Sequence, residues 1–411
     1  MIQNILKAAK VLKGVALHTP LQYNKTLSDQ YEASIWLKRE DLQVVRSYKL
    51  RGAYNKINQL TPEERSHGVV CASAGNHAQG VAYSCNLLKI KGVIFMPVTT
   101  PNQKINQVKS FGGEWSEVML VGDTFDDASA AAIIYCKEHA ANFVHPFDDL
   151  AVIEGQGTVG KEIFEDMQKP IDYLFLPIGG GGLSAGVSSY FKHLSPQTKI
   201  IGVEPLGAPS MKTSIEAGKV ITLNEIDKFI DGAAVKRVGD ITFEICKNNL
   251  DDIVLIPEGK ACSTILDLYN FQAIVVEPAG ALSVSALDFY KEEIKGKNVV
   301  CVLSGSNNDI TRTQEIRERS LLYEGLKHFF IIKFPQRAGA LKYFVNTILG
   351  ETDDIVHFEY VKKHSRENGP AVVGLELKNR DDLAALMSRL EASGFYYEYI
   401  NNNATLLQLL V

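Results

Sequence analysis

Between Ser34 and Ile310 the chain alternates short, nearly continuous apolar runs with longer stretches of helical periodicity, and this alternation restricts the fold more than any other feature. The runs at 34–39, 68–72, 92–96, 173–177, 199–203, 252–256 and 298–303 read as strands. Helical intervals follow several of them, among them 76–88, 123–139 and 183–193. A strand apolar along its whole length must be covered on both faces, so the pattern predicts parallel α/β sheets with helices on each side. In such sheets ligands bind beyond the carboxyl ends of the strands, where the loops gather.

After Arg317 the pattern changes. Segments 328–334, 339–349, 355–363, 371–377, 381–392 and 396–400 follow in the order strand, helix, strand, strand, helix, strand, the order of a ferredoxin-like α+β unit. A boundary near Glu324 is expected, with 1–323 forming one region, a smaller subdomain at about 43–155 within it, and 324–411 forming the second. A net charge of −5 and a pI near 6.0 give no electrostatic case for nucleic acid or an anionic membrane. No apolar run approaches the roughly 18 residues of a membrane span, and the amphipathic start, 1–10, lacks the apolar core of a signal peptide. The six cysteines have no C-x-x-C spacing, the pattern of buried reduced thiols in a cytoplasmic protein without a metal site.

Four segments at strand ends carry chemistry. Lys49, in Ser47-Tyr48-Lys49-Leu50-Arg51-Gly52, sits where a strand gives way to a helix; there an amine can be desolvated and become a nucleophile. Gly179, Gly180, Gly181, Gly182 and Leu183 follow a buried strand and open a helix. Without side chains their N–H groups can converge on an anion, and a phosphate is expected. The absence of a G-x-x-x-x-G-K-[ST] pattern leaves a nucleotide triphosphate unsupported. Ser73, Ala74, Gly75, Asn76 and His77 offer a hydroxyl, an amide and free helix N–H groups, which suit a carboxylate as well as they suit ordinary capping. Ser304 ends a buried strand with a hydroxyl, which alone says little. A further match, Gly155-Gln156-Gly157-Thr158-Val159-Gly160, fits G-x-G-x-x-G but lacks a good strand before it and an acidic residue after it. It is expected to start and pack a helix. An amine nucleophile, a phosphate cradle, a carboxylate turn and a hydroxyl are the parts needed to use pyridoxal 5′-phosphate on an amino acid.

Those motifs, with 231–237 and 277–281, resemble in order the β-family (fold type II) pyridoxal-phosphate enzymes, and within them the threonine dehydratases (threonine ammonia-lyases). The resemblance implies two parallel-sheet αβα domains and a lyase. Lys49 would carry the cofactor and then take the substrate Cα proton. Asn76 would hold the ring hydroxyl, Gly179 to Leu183 the phosphate, and Ser304 would face the pyridine nitrogen. The 73–77 turn would receive the substrate carboxylate. A neutral Ser304 leaves the ring a weaker electron sink than a carboxylate partner would, which favours prompt β-elimination. The implied reaction converts L-threonine, and secondarily L-serine, to a 2-oxo acid and ammonia. Related serine racemases carry a second serine where this chain has Ala74, so elimination without racemisation is expected.

The segment Phe334-Pro335-Gln336-Arg337-Ala338-Gly339 resembles the start of the ACT-like regulatory domain of biosynthetic threonine dehydratases, with Ala338 where many relatives have proline. One such unit fits, as in the short forms. The resemblance implies feedback inhibition by isoleucine, relief by valine and a homotetramer. The competing readings are a catabolic threonine or serine dehydratase, an O-acetylserine-type synthase, and a non-catalytic amino-acid sensor, which would have no use for Lys49.

Overall fold

In the computed structural model of the chain, which describes residues 1–360, 368–403 and 405–407, the apolar runs build strands numbered here along the chain; all counts refer to these residues. They are Leu21–Tyr23 (β1), Ser34–Arg39 (β2), Val69–Ala72 (β3), Gly92–Met96 (β4), Ser116–Leu120 (β5), Asn142–Phe143 (β6), Tyr173–Pro177 (β7), Lys199–Pro205 (β8), Asp252–Ile256 (β9) and Asn298–Leu303 (β10). Four more follow: Lys327–Pro335 (β11), Asp354–Tyr360 (β12), Asn368–Glu376 (β13) and Tyr396–Tyr399 (β14). Two sheets lie in a first compact unit, Met1–Asp309, and one in a second, Ile310–Val411.

The larger sheet of the first unit runs β1-β2-β10-β7-β8-β9 and is parallel except for β1. Its central strand β10 places Val299 to Leu303 fully inside, because helices cover both faces. Val159 and Ile163 from one helix and Val187 and Phe191 from another pack against Leu174, Leu176, Val300 and Val302. The smaller sheet, β5-β4-β3-β6, is also parallel and buries Val70, Ala72 and Phe95 beneath the Phe125–His139 helix. β1, β5 and β6 were not foreseen. They are short or half-exposed edge strands, so no continuous apolar run marks them.

The glycines of the dinucleotide-like match lie inside the Leu150–Asp166 helix, which starts on an Asp149 cap accepting from Ala151 and Val152 N–H. They pack that helix and do not start it. A Cβ on Gly155 would come 2.5 Å from the Arg51 carbonyl oxygen, and one on Gly186 of the next helix 2.6 Å from the Gly157 nitrogen. All six cysteines are free. Cys136 is half-buried where burial was expected, because the Phe125–His139 helix keeps most of its residues in solvent.

In the second unit β12-β13-β11-β14 form an antiparallel sheet. Phe330, Ile332 and Phe334 of β11 meet Phe344, Ile348, Leu386 and Leu390 from the helical segments. The division falls between Asp309 and Ile310, earlier than Glu324, and counts the Thr313–Tyr323 helix with this unit. Arg317 of that helix binds Glu376 at 2.7 Å and Glu318 pairs with Lys327, which ties the helix to the sheet. Residues 361–363 of the expected strand 355–363 lie outside the described residues.

Candidate active site

Lys49 stands at the first position of the Lys49–Asn58 helix, and the chain reaches it through a strained corner. Arg46 has φ +60°, a left-handed backbone that costs a non-glycine residue about 1 kcal/mol or more. Its carbonyl accepts from Ser306 N–H at 2.9 Å, and Tyr48 N–H donates to the Ser304 carbonyl at 3.2 Å. The lysine corner is thereby stitched to the end of β10. Two residues beyond Lys49, buried Arg51 pairs with Glu40 at 2.8 Å and Glu162 at 2.6 Å, and Lys38 shares Glu162. These bonds fix the helix that carries the amine.

Lys49 as a whole is half-buried. Lys49 Nζ donates to the Pro146 carbonyl at 2.8 Å and lies 5.4 Å from the centre of the Tyr48 ring. Burial pulls its pKa down to about 8, a fall that the nearby Glu277 carboxylate partly opposes. Next to Pro146, the Phe147 ring occupies the place that a Cβ on Gly180 would need, at 2.2 Å. A Cβ on Gly179 would come 3.0 Å from the Ala233 Cα, Gly181 has φ +93° beside Thr242, and Thr242 Oγ1 donates to the Gly180 carbonyl at 2.6 Å. The loop is thus held rigidly from outside by its neighbours. Its N–H groups are not held: those of Gly179, Gly180, Gly181, Gly182 and Leu183 have no acceptor among the described residues. Consecutive free amides opening the Gly182–Leu194 helix fit a phosphate, and the lysine amine beside them fits the aldehyde end of pyridoxal phosphate.

Ser73, Ala74, Gly75, Asn76 and His77 lead from β3 into the Asn76–Leu88 helix. Gly80 of that helix lets it lie against the Lys49 helix; a Cβ there would come 3.1 Å from Leu50 N and 3.2 Å from the Lys49 carbonyl carbon. Ser73 Oγ accepts from Gly75 N–H at 3.2 Å, which leaves its O–H free to donate. A Cβ on Gly75 would meet only open space, and Ala74 packs on the core of the smaller sheet. His77 is held at one end of its ring: its Nε2 donates to the Val144 carbonyl at 2.8 Å, so Nδ1 is the bare nitrogen, buried without a partner among the described residues. Burial, with the Lys49 charge, lowers its pKa to about 3, and the ring is neutral. The ring is thus anchored through Nε2, within electrostatic reach of the Lys49 amine. Ser304 is buried and its Oγ lies 3.3 Å from the Ala279 carbonyl.

The structure therefore gathers all four sequence segments in the first unit. It also adds residues for which no role was foreseen. Glu277 is buried, accepts from Asn76 Nδ2 at 2.6 Å, and has its pKa raised to about 7 by burial and by Asp231. Asp231 in turn binds Lys104 at 2.7 Å. Asn307 Nδ2 donates to Asn76 Oδ1. Pro146 and Phe147 carried no sequence signal at all. Glu277 and Asn307 stood inside recognised segments, but nothing local says what they face.

The profile of the pyridoxal-phosphate dependent enzyme family matches residues 13–305, and that of the C-terminal regulatory domain of threonine dehydratase matches 318–410. The chain is 60% identical to the L-threonine dehydratase biosynthetic IlvA of Halalkalibacterium halodurans over 100% of this chain and 99% of that protein. It is 56% identical to the Bacillus subtilis protein of the same name, over 100% and 97%. Among solved structures, processed threonine deaminase isoform 2 from Solanum lycopersicum superimposes with a TM-score of 0.74 at 41% identity, covering 78% of this chain and 93% of that one. Maize serine racemase gives 0.72 at 28% identity, covering 78% and 98%.

Proposed function

The chain belongs to the threonine dehydratase family of pyridoxal-phosphate-dependent enzymes, and from that membership we propose that it converts L-threonine to 2-oxobutanoate and ammonia, the first step of isoleucine biosynthesis. The observation that carries this reading is the Lys49 amine, bound to Pro146 beside the Phe147 ring that packs on a glycine loop whose amides have no acceptor among the described residues. Pyridoxal 5′-phosphate, when bound, supplies a ring that stabilises negative charge at the substrate Cα. Lys49 would hold it, with the Gly179 to Leu183 amides on its phosphate, Asn76 on its ring hydroxyl and Ser304 at its ring nitrogen.

The chain's own groups then divide the work. The substrate carboxylate lies against the Ser73 hydroxyl and the free amides that open the Asn76–Leu88 helix, whose dipole end is positive there. Lys49, with a pKa of about 8, is neutral in a useful fraction of molecules near neutral pH and takes the Cα proton as general base. Loss of the β-hydroxyl follows, and no second base stands at Ala74 to serve the opposite face. Threonine and serine differ by a methyl group, worth about 1–3 kcal/mol in a pocket, so serine is turned over less well.

The regulatory-domain match favours the biosynthetic over the catabolic role. Isoleucine as inhibitor, valine as its antagonist, a homotetramer and a cytoplasmic location complete the proposal. The decisive experiment is Lys49→Ala: the purified wild-type chain is yellow and releases 2-oxobutanoate from threonine, and the variant loses both its visible absorption and its turnover. A variant that kept turnover would refute the assignment.

A further inference from the structure

Asn76 is gripped at both ends of its carboxamide. Its Nδ2 donates one hydrogen to Glu277 Oε1 at 2.6 Å, and its Oδ1 accepts from Asn307 Nδ2. Asn307 can take only one orientation. Its Nδ2 also donates to the Val45 carbonyl at 3.0 Å, so both of its N–H bonds are committed. Glu277, when ionised, can only accept. A flipped Asn76 would put N–H against N–H at Asn307 whatever the charge on Glu277, and oxygen against the Glu277 carboxylate wherever that group is ionised, so the amide has a single allowed setting. That setting leaves one Asn76 N–H uncommitted.

Glu277 is itself fixed. Its N–H donates to the Gly305 carbonyl at 3.1 Å, and a Cβ on Gly305 would come 2.5 Å from Glu277 Oε1. Gly305 adjoins Ser304, and Asn307 lies two residues further along the same turn. The clamp on Asn76 is thus built from the end of β10 and the cap of the Pro278–Ser285 helix, not from the element that carries Asn76.

We propose that Glu277 and Asn307 are positioning residues: together they lock the Asn76 carboxamide so that its one free N–H faces the ring oxygen of the cofactor. This rests on the reading above that Asn76 holds that oxygen. A donor fixed before the cofactor arrives needs no reorganisation, and a donor free to flip presents an oxygen to an oxygen in part of the population.

The test compares Asn76→Ala, Glu277→Ala, Glu277→Gln and Asn307→Asp by visible absorption of the cofactor-loaded protein, cofactor dissociation constant, kcat and KM. Glu277→Ala should reproduce the spectral shift of Asn76→Ala and weaken cofactor binding roughly tenfold or more, the scale of one lost hydrogen bond to a polar group. kcat should fall while KM for threonine changes little. Glu277→Gln, whose side-chain carbonyl can still accept from Asn76, should keep the wild-type spectrum. Asn307→Asp, which removes the donor at the other end without changing shape, should resemble Glu277→Ala and decides the matter if that variant does not fold. The proposal is overturned if Glu277→Ala and Asn307→Asp merely melt earlier with unchanged spectrum and cofactor affinity while Asn76→Ala loses both. It is also overturned if Glu277→Gln is as impaired as Glu277→Ala, since charge and not orientation would then be at work. If Asn76→Ala keeps both the spectrum and the affinity, the role given to Asn76 fails first and takes the clamp with it.

Discussion

Lys49 shows how a single residue acquires a function from its surroundings. Its pKa falls from 10.5 to about 8 because burial penalises the ammonium more than the Glu277 carboxylate favours it. The other titratable groups acting on it, His77 and His145, are lowered by burial and stay neutral at physiological pH. Only the neutral amine attacks an aldehyde. In cofactor-free protein, the rate at which Lys49 captures pyridoxal phosphate should therefore rise with pH and reach half its plateau near pH 8, followed by absorbance. A midpoint near 10.5 would contradict the burial of the amine. Stability has a matching signature. The unfolded lysine keeps its proton to 10.5 and the folded one only to about 8, so this group's contribution to stability rises with pH between those values. Glu277 runs the other way: folded, it holds its proton to about 7, unfolded only to 4.5, so its contribution falls as pH rises across that window. Ala74 supplies a different prediction. With no hydroxyl at this position, L-serine should yield 2-oxo acid without D-serine at a comparable rate, as chiral chromatography of the reaction mixture would show.

At the scale of elements, the helices around the site depend on glycine for their spacing. The Leu150–Asp166 helix lies close to its neighbours because Gly155, Gly157 and Gly186 offer no side chain where backbones nearly touch. Gly186→Val would push a branched side chain into the Ile153 carbonyl, 2.3 Å from even a Cβ, and into Gly157. We expect a loss of about 1–3 kcal/mol or more from such overpacking, read as a lower unfolding midpoint in denaturant. A midpoint equal to wild type would mean that the helices can separate at little cost. These glycines also explain why a letter-for-letter dinucleotide pattern misleads: the spacing needed for a phosphate turn can equally serve a helix contact. The buried strands β3, β7 and β10 were legible because apolar side chains on both faces are a local property. The edge strands β1, β5 and β6 were not, because pairing on one side only asks little of the residues.

At the scale of the whole molecule, two compact units match two family profiles, one catalytic and one regulatory. If isoleucine is the effector, a concentration of about 100 times its Kd should stabilise the full chain by ~2.7 kcal/mol, raise its melting temperature and slow threonine turnover. Absence of both effects would remove the regulatory proposal and leave the catalytic one standing. By itself the sequence determined which chemistry was available: a lysine opening a helix, and a run of glycines, a hydroxyl-and-amide turn and a serine that each follow a strand marked by local apolar patterning; Lys49 itself is parted from β2 by the Glu40–Leu42 turn, not placed at the strand end as expected. Tertiary structure alone decided what those groups face. It bound the His77 ring to Val144, shifted the Lys49 pKa through burial, and placed Glu277 and Asn307 on either side of Asn76. Those outcomes depend on desolvation and on hydrogen-bond partners separated by as many as 231 residues along the chain, and no local pattern encodes such distances.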